Sequence, residues 1–163
     1  MIILGLDPGL ATTGWGIVEF DGHVTRPVSF GVLRTKAHTE LSERIFELGK
    51  DLRTLVDKFS VDVCSIEDIY FARNITSAVP VAKVIGAFSY VLKDIGIPSY
   101  FYSPLQIKMA VTGTGTADKR QVQELVKLHL HLKEIPKPDH AADALADCLC
   151  YINYDYNKRL NLD

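Results

Sequence analysis

Residues 1–9, MIILGLDPG, run from an apolar segment into a carboxylate and then a turn. The apolar residues 2–6 predict a short buried strand, and Pro8-Gly9 predicts the turn that follows it. Asp7 therefore stands at the carboxyl end of a strand. An aspartate in front of Pro-Gly can act simply as a turn former. Open α/β sheets, however, build their functional sites at this edge, which makes Asp7 the first candidate functional residue.

The rest of the chain predicts a mixed sheet covered by helices on both faces. Residues 13–20 and 24–35 predict two more strands joined by a tight turn, so the first three strands are antiparallel. A helix over 39–59, with Thr39 as its N-cap, and a buried strand over 61–67 follow. We then expect a helix over 77–94 with Pro80 in its first turn, a strand over 98–102, and three helices starting at Ser103-Pro104, Asp118 and Asp139. The last helix runs to about residue 154. With no repeat or linker, residues 1–163 form a single α/β domain around a five-stranded sheet, with a C-terminal tail from about 153 to 163.

Composition restricts the class of protein. A chain of 163 residues is long enough for one full hydrophobic core. No apolar run reaches the roughly 20 residues of a membrane span, and the amino-terminal segment lacks the basic start of a signal peptide. Cys64 lies in an apolar run, and three cysteines cannot all pair, so a reducing cytoplasm is the simplest compartment.

Charge is unevenly distributed. The formal net charge of −2 is unusual for a protein that binds nucleic acid. Residues 104–138, however, hold six lysines or arginines against three acids, a local excess of +3. A cluster of metal-binding carboxylates elsewhere would lower the total without changing this basic stretch.

Two further elements carry candidate metal ligands. Glu67 ends the predicted strand 61–67, while His140 and Asp143 are three residues apart on the last helix and so share a face. The alanines around them would let this helix approach the sheet. Hydrolysis of a phosphodiester by two metal ions about 3.5–4 Å apart needs several oxygen ligands that converge from separate elements. The pattern is typical of such a site.

The motifs, in their order and spacing, resemble the RuvC family of Holliday junction resolvases. The resemblance extends to about Ile152 and rests on the following blocks: GLDPG at 5–9, TGWG at 13–16, IEDIY at 66–70 with Arg73-Asn74, QIK at 106–108, GTG at 113–115, ADK at 117–119 and DHAADALA at 139–146. It implies an RNase H-like fold and a homodimeric, Mg²⁺-dependent endonuclease of recombination and repair. Such an enzyme resolves four-way DNA junctions by paired symmetric nicks. A branch-migration complex of RuvA and RuvB type is an implied partner.

By the same resemblance the metal ligands are Asp7, Glu67, His140 and Asp143, holding two Mg²⁺ ions. The commonest family pattern has a carboxylate where this chain has His140. An imidazole removes one negative charge and suits Mn²⁺ better than Mg²⁺. Asp139 is the alternative fourth ligand, although its position also fits a helix N-cap.

The resemblance also indicates residues that would hold DNA. An aromatic ring at Tyr70 would stack on bases at the junction centre, and Arg73 and Asn74 would contact phosphate or base edges. Without the resemblance, Lys108 and Lys119 would be interpreted as ordinary solvated lysines. The helix start at Lys119 and the basic surroundings of Lys108 favour phosphate contacts. For Tyr70 the alternative is packing in the core.

Other interpretations remain open at this stage. The small residues Ala78, Ala82 and Gly86 form a strip that either packs on the sheet or forms the subunit interface. The chain could instead be an RNase H-like nuclease acting on RNA, or an inactive junction-binding module. An ATPase of the sugar-kinase and actin class needs two lobes, for which this chain is too short.

Overall fold

The computed structural model describes residues 1–69 and 75–156. Its five strands are β1 (Ile2–Asp7), β2 (Thr12–Phe20), β3 (Thr25–Arg34), β4 (Val63–Glu67) and β5 (Ser99–Tyr102). They form one sheet in the order β3-β2-β1-β4-β5. Strands β1, β2 and β3 are antiparallel neighbours, whereas β4 runs parallel to β1 and β5 parallel to β4. The predicted mixed sheet with three antiparallel N-terminal strands is confirmed.

Helices cover both faces of this sheet, as predicted. The helices are α1 (Leu41–Phe59), α2 (Ile75–Asp94), α3 (Pro104–Thr112), α4 (Lys119–His129) and α5 (Asp139–Tyr151). On one face, Leu4, Leu6 and Ile17 pack in a core with buried residues of α1 and α2. On the other face, Ile3 and Val18 pack with residues of α3, α4 and α5. The sheet therefore separates two hydrophobic cores.

Strand pleating decides which way the acids at the strand ends point. Successive side chains of a strand alternate between the two faces. Leu6 of β1 and Ile66 of β4 are register partners and belong to the core under α1 and α2. The next residues, Asp7 and Glu67, must then face the opposite side, on which α5 lies. Neighbouring parallel strands thus deliver two carboxylates side by side to the same face.

Three helix starts differ from the sequence prediction. The N-cap of α1 is Glu40, not Thr39, because the amide of Arg44 already donates to the carbonyl of Glu40. The N-cap of α5 is Pro138. Helix α2 begins at Ile75, so Pro80 lies inside the helix and not in its first turn. By contrast, Ser103 and Asp118 cap α3 and α4 as predicted, each with a complete capping box.

The last α-helix ends earlier than predicted, at Tyr151. After α5 the chain continues as a π-helical turn, Ile152–Tyr156, where an α-helix to about 154 and a tail from about 153 were expected. Asn153 donates to the carbonyl of Ala110 at 2.8 Å, and the Tyr102 hydroxyl donates to Asp155. The ring of Tyr156 meets Phe20 edge to face. Aromatic side chains thus attach this turn to the core. In the described part of the chain, no helix combines the length and the apolarity that crossing a membrane demands.

Candidate metal centre

Helix α5 lies directly against β1 and β2 because glycines face it. A Cβ atom built on Gly5 would lie 1.9 Å from the carbonyl oxygen of Ala144, and one on Gly14 would lie 1.9 Å from that of His140. Neither position can accept a side chain without displacing the helix. The alanines of α5 predicted a close approach from sequence; Gly5 and Gly14, the matching signal on the strands, were not used in that prediction.

This close contact brings three of the predicted ligands together. Asp7, His140 and Asp143 each place a potential ligand atom within 4.8 Å of the other two. His140 Nδ1 lies 2.6 Å from Asp7 Oδ2. With Asp7 ionised, the Nδ1–H donates this bond, and in the neutral imidazole Nε2 then carries the free lone pair. The side chains of Asp7 and Asp143 are 17% and 24% exposed, so the group opens to solvent on one side.

Glu67 is not part of that group of three, but it belongs to the same electrostatic environment. Burial raises the pKa of Glu67 to about 7, and the charges of Asp7 and Asp143 contribute to the increase. Burial likewise raises the pKa of Asp7, although the hydrogen bond and charge of His140 oppose it. Carboxylates that repel one another in a partly buried place favour the binding of a cation.

The two predicted DNA-binding lysines stand beside these acids. Glu67, Asp143, Lys108 and Lys119 line one cavity of about 250 Å³. Lys119 Nζ donates to Asp143 Oδ2 at 3.0 Å. Partial burial by itself would lower the pKa of Lys119, but the hydrogen bond and charge of Asp143, with Asp139 and Asp7, leave it raised. Lys119 is therefore a cation held at the edge of the acidic group.

Asp139 does not play the capping role that the sequence suggested. It is the first residue of α5, after the N-cap Pro138, and no side-chain hydrogen bond caps this helix. Its carboxylate is 66% exposed and lies 3.6 Å from Lys119 Nζ. Asp139 also lies outside the group of three potential ligands found among the described residues. The alternative fourth ligand is thus close to the site but turned towards Lys119.

One acid near the site was not assigned a role from sequence. Asp147, one helical turn after Asp143, is fully buried. Neither of its carboxyl oxygens has a hydrogen-bond partner within residues 1–69 and 75–156. Burial holds the pKa of Asp147 well above its usual value, and the charges of Glu67, Asp7 and Asp143 add to this. The spacing of four residues from Asp143 was the signal that could have identified it.

The donor set suits hard divalent cations. Asp7 and Asp143 offer carboxylate oxygens and His140 offers an imidazole nitrogen, and Glu67 adds a carboxylate in the same electrostatic environment. Mg²⁺ and Mn²⁺ accept such ligands, and nitrogen favours Mn²⁺ of the two. The buried Asp147 carboxyl has no hydrogen-bond partner among residues 1–69 and 75–156, and a nearby bound cation would explain such a group. Tyr70, Arg73 and Asn74 lie outside the described residues, so their predicted roles stay predictions.

Comparisons with known proteins agree on one family. Residues 3–151 match the family model described as Crossover junction endodeoxyribonuclease RuvC. A relative of that name from Chloroflexus aggregans is 44% identical over 151 residues, which cover 93% of this chain and 92% of the relative. The Thermus thermophilus RuvC structure superposes with a TM-score of 0.88 at 32% identity, covering 97% of both chains.

A second solved structure adds a substrate to this comparison. It is Thermus thermophilus RuvC in complex with a Holliday junction substrate, with a TM-score of 0.86 and 29% identity over 96% of each chain. The fold, the order of elements and nearly the full length of the chain are therefore shared with proteins of this name. The chain belongs to the RuvC family of crossover junction endodeoxyribonucleases.

Proposed function

We propose that this chain is an endonuclease that resolves four-way DNA junctions by metal-dependent hydrolysis of phosphodiester bonds. Its relatives are named crossover junction endodeoxyribonucleases, and one of them has been solved with a Holliday junction. The observation that carries the proposal is the cavity in which Glu67 and Asp143 face Lys108 and Lys119. Acids that attract metal ions stand there beside ammonium groups that attract phosphate.

Each group has a distinct part in this proposal. Asp7, Glu67, His140 and Asp143 hold two divalent ions. When bound, such ions activate the attacking water and stabilise the leaving oxygen. Lys108 and Lys119 draw the phosphate backbone into the cavity, since phosphate contacts dominate affinity for DNA. Lys119 Nζ lies 3.0 Å from Asp143 Oδ2, so a phosphate that binds this ammonium group would be held next to the acids.

Mg²⁺ is the proposed physiological ion, and Mn²⁺ is proposed to substitute for it or to be preferred. The ligand set includes one imidazole, which coordinates Mn²⁺ more readily than Mg²⁺. The hydrogen bond from His140 Nδ1 to Asp7 supports the proposed role of His140 as a ligand. A carboxylate that accepts from one ring nitrogen orients the ring and leaves the other nitrogen available to a metal.

Paired nicks require two copies of the chain, and α2 offers a surface for the second copy. Ala82 and Gly86 of the small-residue strip are exposed, and Val79 and Tyr90 are 46% and 71% exposed. The opposite side of α2 is buried in the core through Val84 and Phe88 and neighbouring residues. The strip therefore faces away from the sheet, which favours its use between subunits. Sedimentation velocity tests this: a parent chain that stays monomeric at assay concentrations would contradict the proposed dimer.

Two further parts of the proposal concern the cellular setting. The three cysteines are free and buried, which suits a reducing cytoplasm. A branch-migration complex of RuvA and RuvB type is the proposed partner, by family membership alone. Co-purification with the tagged chain from cells tests it, and its absence from junction-bound fractions would remove it.

Junction binding and junction cleavage are measured separately on the same samples. A labelled four-way junction and a duplex of matched sequence are incubated with the chain and Mg²⁺, Mn²⁺ or EDTA. We expect nicking of the junction only, and only with metal. Asp7→Asn, Glu67→Gln and Asp143→Asn should each abolish nicking and retain binding in a gel shift, since affinity comes mainly from phosphate contacts.

The lysine variants should instead lose affinity for the junction. Lys108→Ala and Lys119→Ala should each weaken junction binding and reduce the slope of log K against log salt by about one phosphate contact. Unchanged slopes would return both lysines to the role of solvated surface residues. Metal-dependent cleavage of an RNA–DNA hybrid instead of the junction would favour an RNA-directed nuclease. Junction binding with no cleavage in any metal would indicate a binding module.

A further inference from the structure

Asp147 has no explanation in the packing of the fold. The residue is completely buried on α5, and neither carboxyl oxygen is hydrogen-bonded within the part of the chain that the structure describes. The neighbouring Ser65 hydroxyl donates to the backbone carbonyl of Asp147 at 2.7 Å and not to its side chain. A buried carboxyl without a partner destabilises a folded protein. Its presence therefore points to a use outside stability.

Asp147 is adjacent to the candidate metal centre: Ser65, which donates to its backbone carbonyl, lies two residues before Glu67 on β4. Residues four apart on a helix share a face, so Asp147 lies on the same side of α5 as Asp143. The groups whose charges act on it are Glu67, Asp7 and Asp143, all of them acids of the centre. Its other titratable neighbours are thiols: burial raises the pKa of Cys64, Cys148 and Cys150, and the charge of Asp147 adds to the increase. The titratable groups that interact with Asp147, on the strands and on α5, are thus acids or thiols.

We infer that Asp147 strengthens the binding of divalent cations by supplying negative charge to the metal centre. The inference rests on the proposed function, because it needs the metal centre. Asp7, Glu67 and Asp143 bring three negative charges and His140 brings none, whereas two divalent ions carry four positive charges. A fourth carboxylate adjacent to the ligands offsets the remaining charge in a region that water does not screen.

The test measures metal affinity directly. The full chain is titrated with Mn²⁺, and free Mn²⁺ is followed by its electron paramagnetic resonance signal. Asp147→Asn keeps the shape of the side chain and removes its charge. We expect its Kd for Mn²⁺ to rise at least about tenfold, the usual effect of changing a group behind the direct metal ligands. Asp51→Asn, at an exposed position of α1, removes the same net charge far from the centre and should bind Mn²⁺ like the parent.

Circular dichroism of each variant in a chelator shows whether it folds without metal, which separates a role in metal binding from a structural role. An Asp147→Asn variant that is folded, as judged by its circular dichroism, and binds Mn²⁺ as tightly as Asp51→Asn would overturn the inference. If the asparagine variant does not fold, Asp147→Ala is judged by the same criterion. If neither folds without metal, Asp147 is a structural residue and the inference fails.

Failure of the proposed function gives a different result. In that case the parent itself does not bind Mn²⁺ or nick the junction. A parent that nicks the junction, beside an Asp147→Asn variant with unchanged Mn²⁺ affinity, refutes only the role of Asp147.

Discussion

Glu67 should make the metal-free protein less stable as the pH rises. In the folded chain, burial and the charges of Asp7 and Asp143 raise the pKa of Glu67 from 4.5 to about 7. The folded state thus holds this proton more tightly than the unfolded state. The stabilisation from protonated Glu67 is fully present below about pH 4.5 and is lost as the pH rises through about 7. At roughly 1.4 kcal/mol per pKa unit, its contribution to the free energy of unfolding falls by about 2.5 kcal/mol between pH 5 and pH 8.

Glu67→Gln removes this dependence and makes the effect measurable. We subtract the parent's free energy of unfolding from that of the variant. This difference should be about 2.5 kcal/mol larger at pH 8 than at pH 5. For a domain of this size that corresponds to about 5 to 10 °C in melting temperature. Urea denaturation of both proteins in EDTA at the two pH values gives the comparison, and any cost of burying the amide cancels in the difference. Glu47→Gln, an exposed glutamate of α1, is the matched control. A difference between Glu67→Gln and the parent that does not change with pH would refute the argument.

Two further predictions concern the helix–sheet contact and the histidine. Gly14→Ala should cost about 1–3 kcal/mol of stability and reduce nicking, because the added Cβ would collide with the backbone of α5. Gly49→Ala is the control: its Cβ meets only a side-chain atom at 3.5 Å, so it should leave nicking intact, and equal stability losses in the two variants would contradict the argument. His140→Asp should lower the ratio of Mn²⁺-supported to Mg²⁺-supported nicking, and His140→Ala should reduce nicking with both ions. An alanine variant that nicks like the parent with either ion would exclude His140 as a ligand, and Asp139→Asn would then be the variant to assay.

The order of helices and strands could be predicted from the sequence because it depends on local signals. Apolar runs, the 3–4 spacing of α1 and the caps at Ser103 and Asp118 act within a few residues. Errors occurred where a tertiary contact decides the outcome. Asp139 is turned to Lys119 and not to its own helix amides. The chain after Tyr151 forms a π-helical turn that is attached to the core by aromatic contacts.

The sequence by itself determined which residues are candidates for the metal centre. Its motifs placed Asp7 and Glu67 at the ends of two strands, and His140 and Asp143 on one helix. It could not determine the distances between them, because residues separated by 60 or more positions meet only through the fold. The parallel register of β1 and β4 sets Asp7 beside Glu67, and Gly5 and Gly14 let α5 bring His140 and Asp143 to them. The burial of Asp147, and the way the acids raise one another's pKa, also depend on this packing. Only the folded structure removes water from these carboxyls and brings their charges close enough to interact strongly.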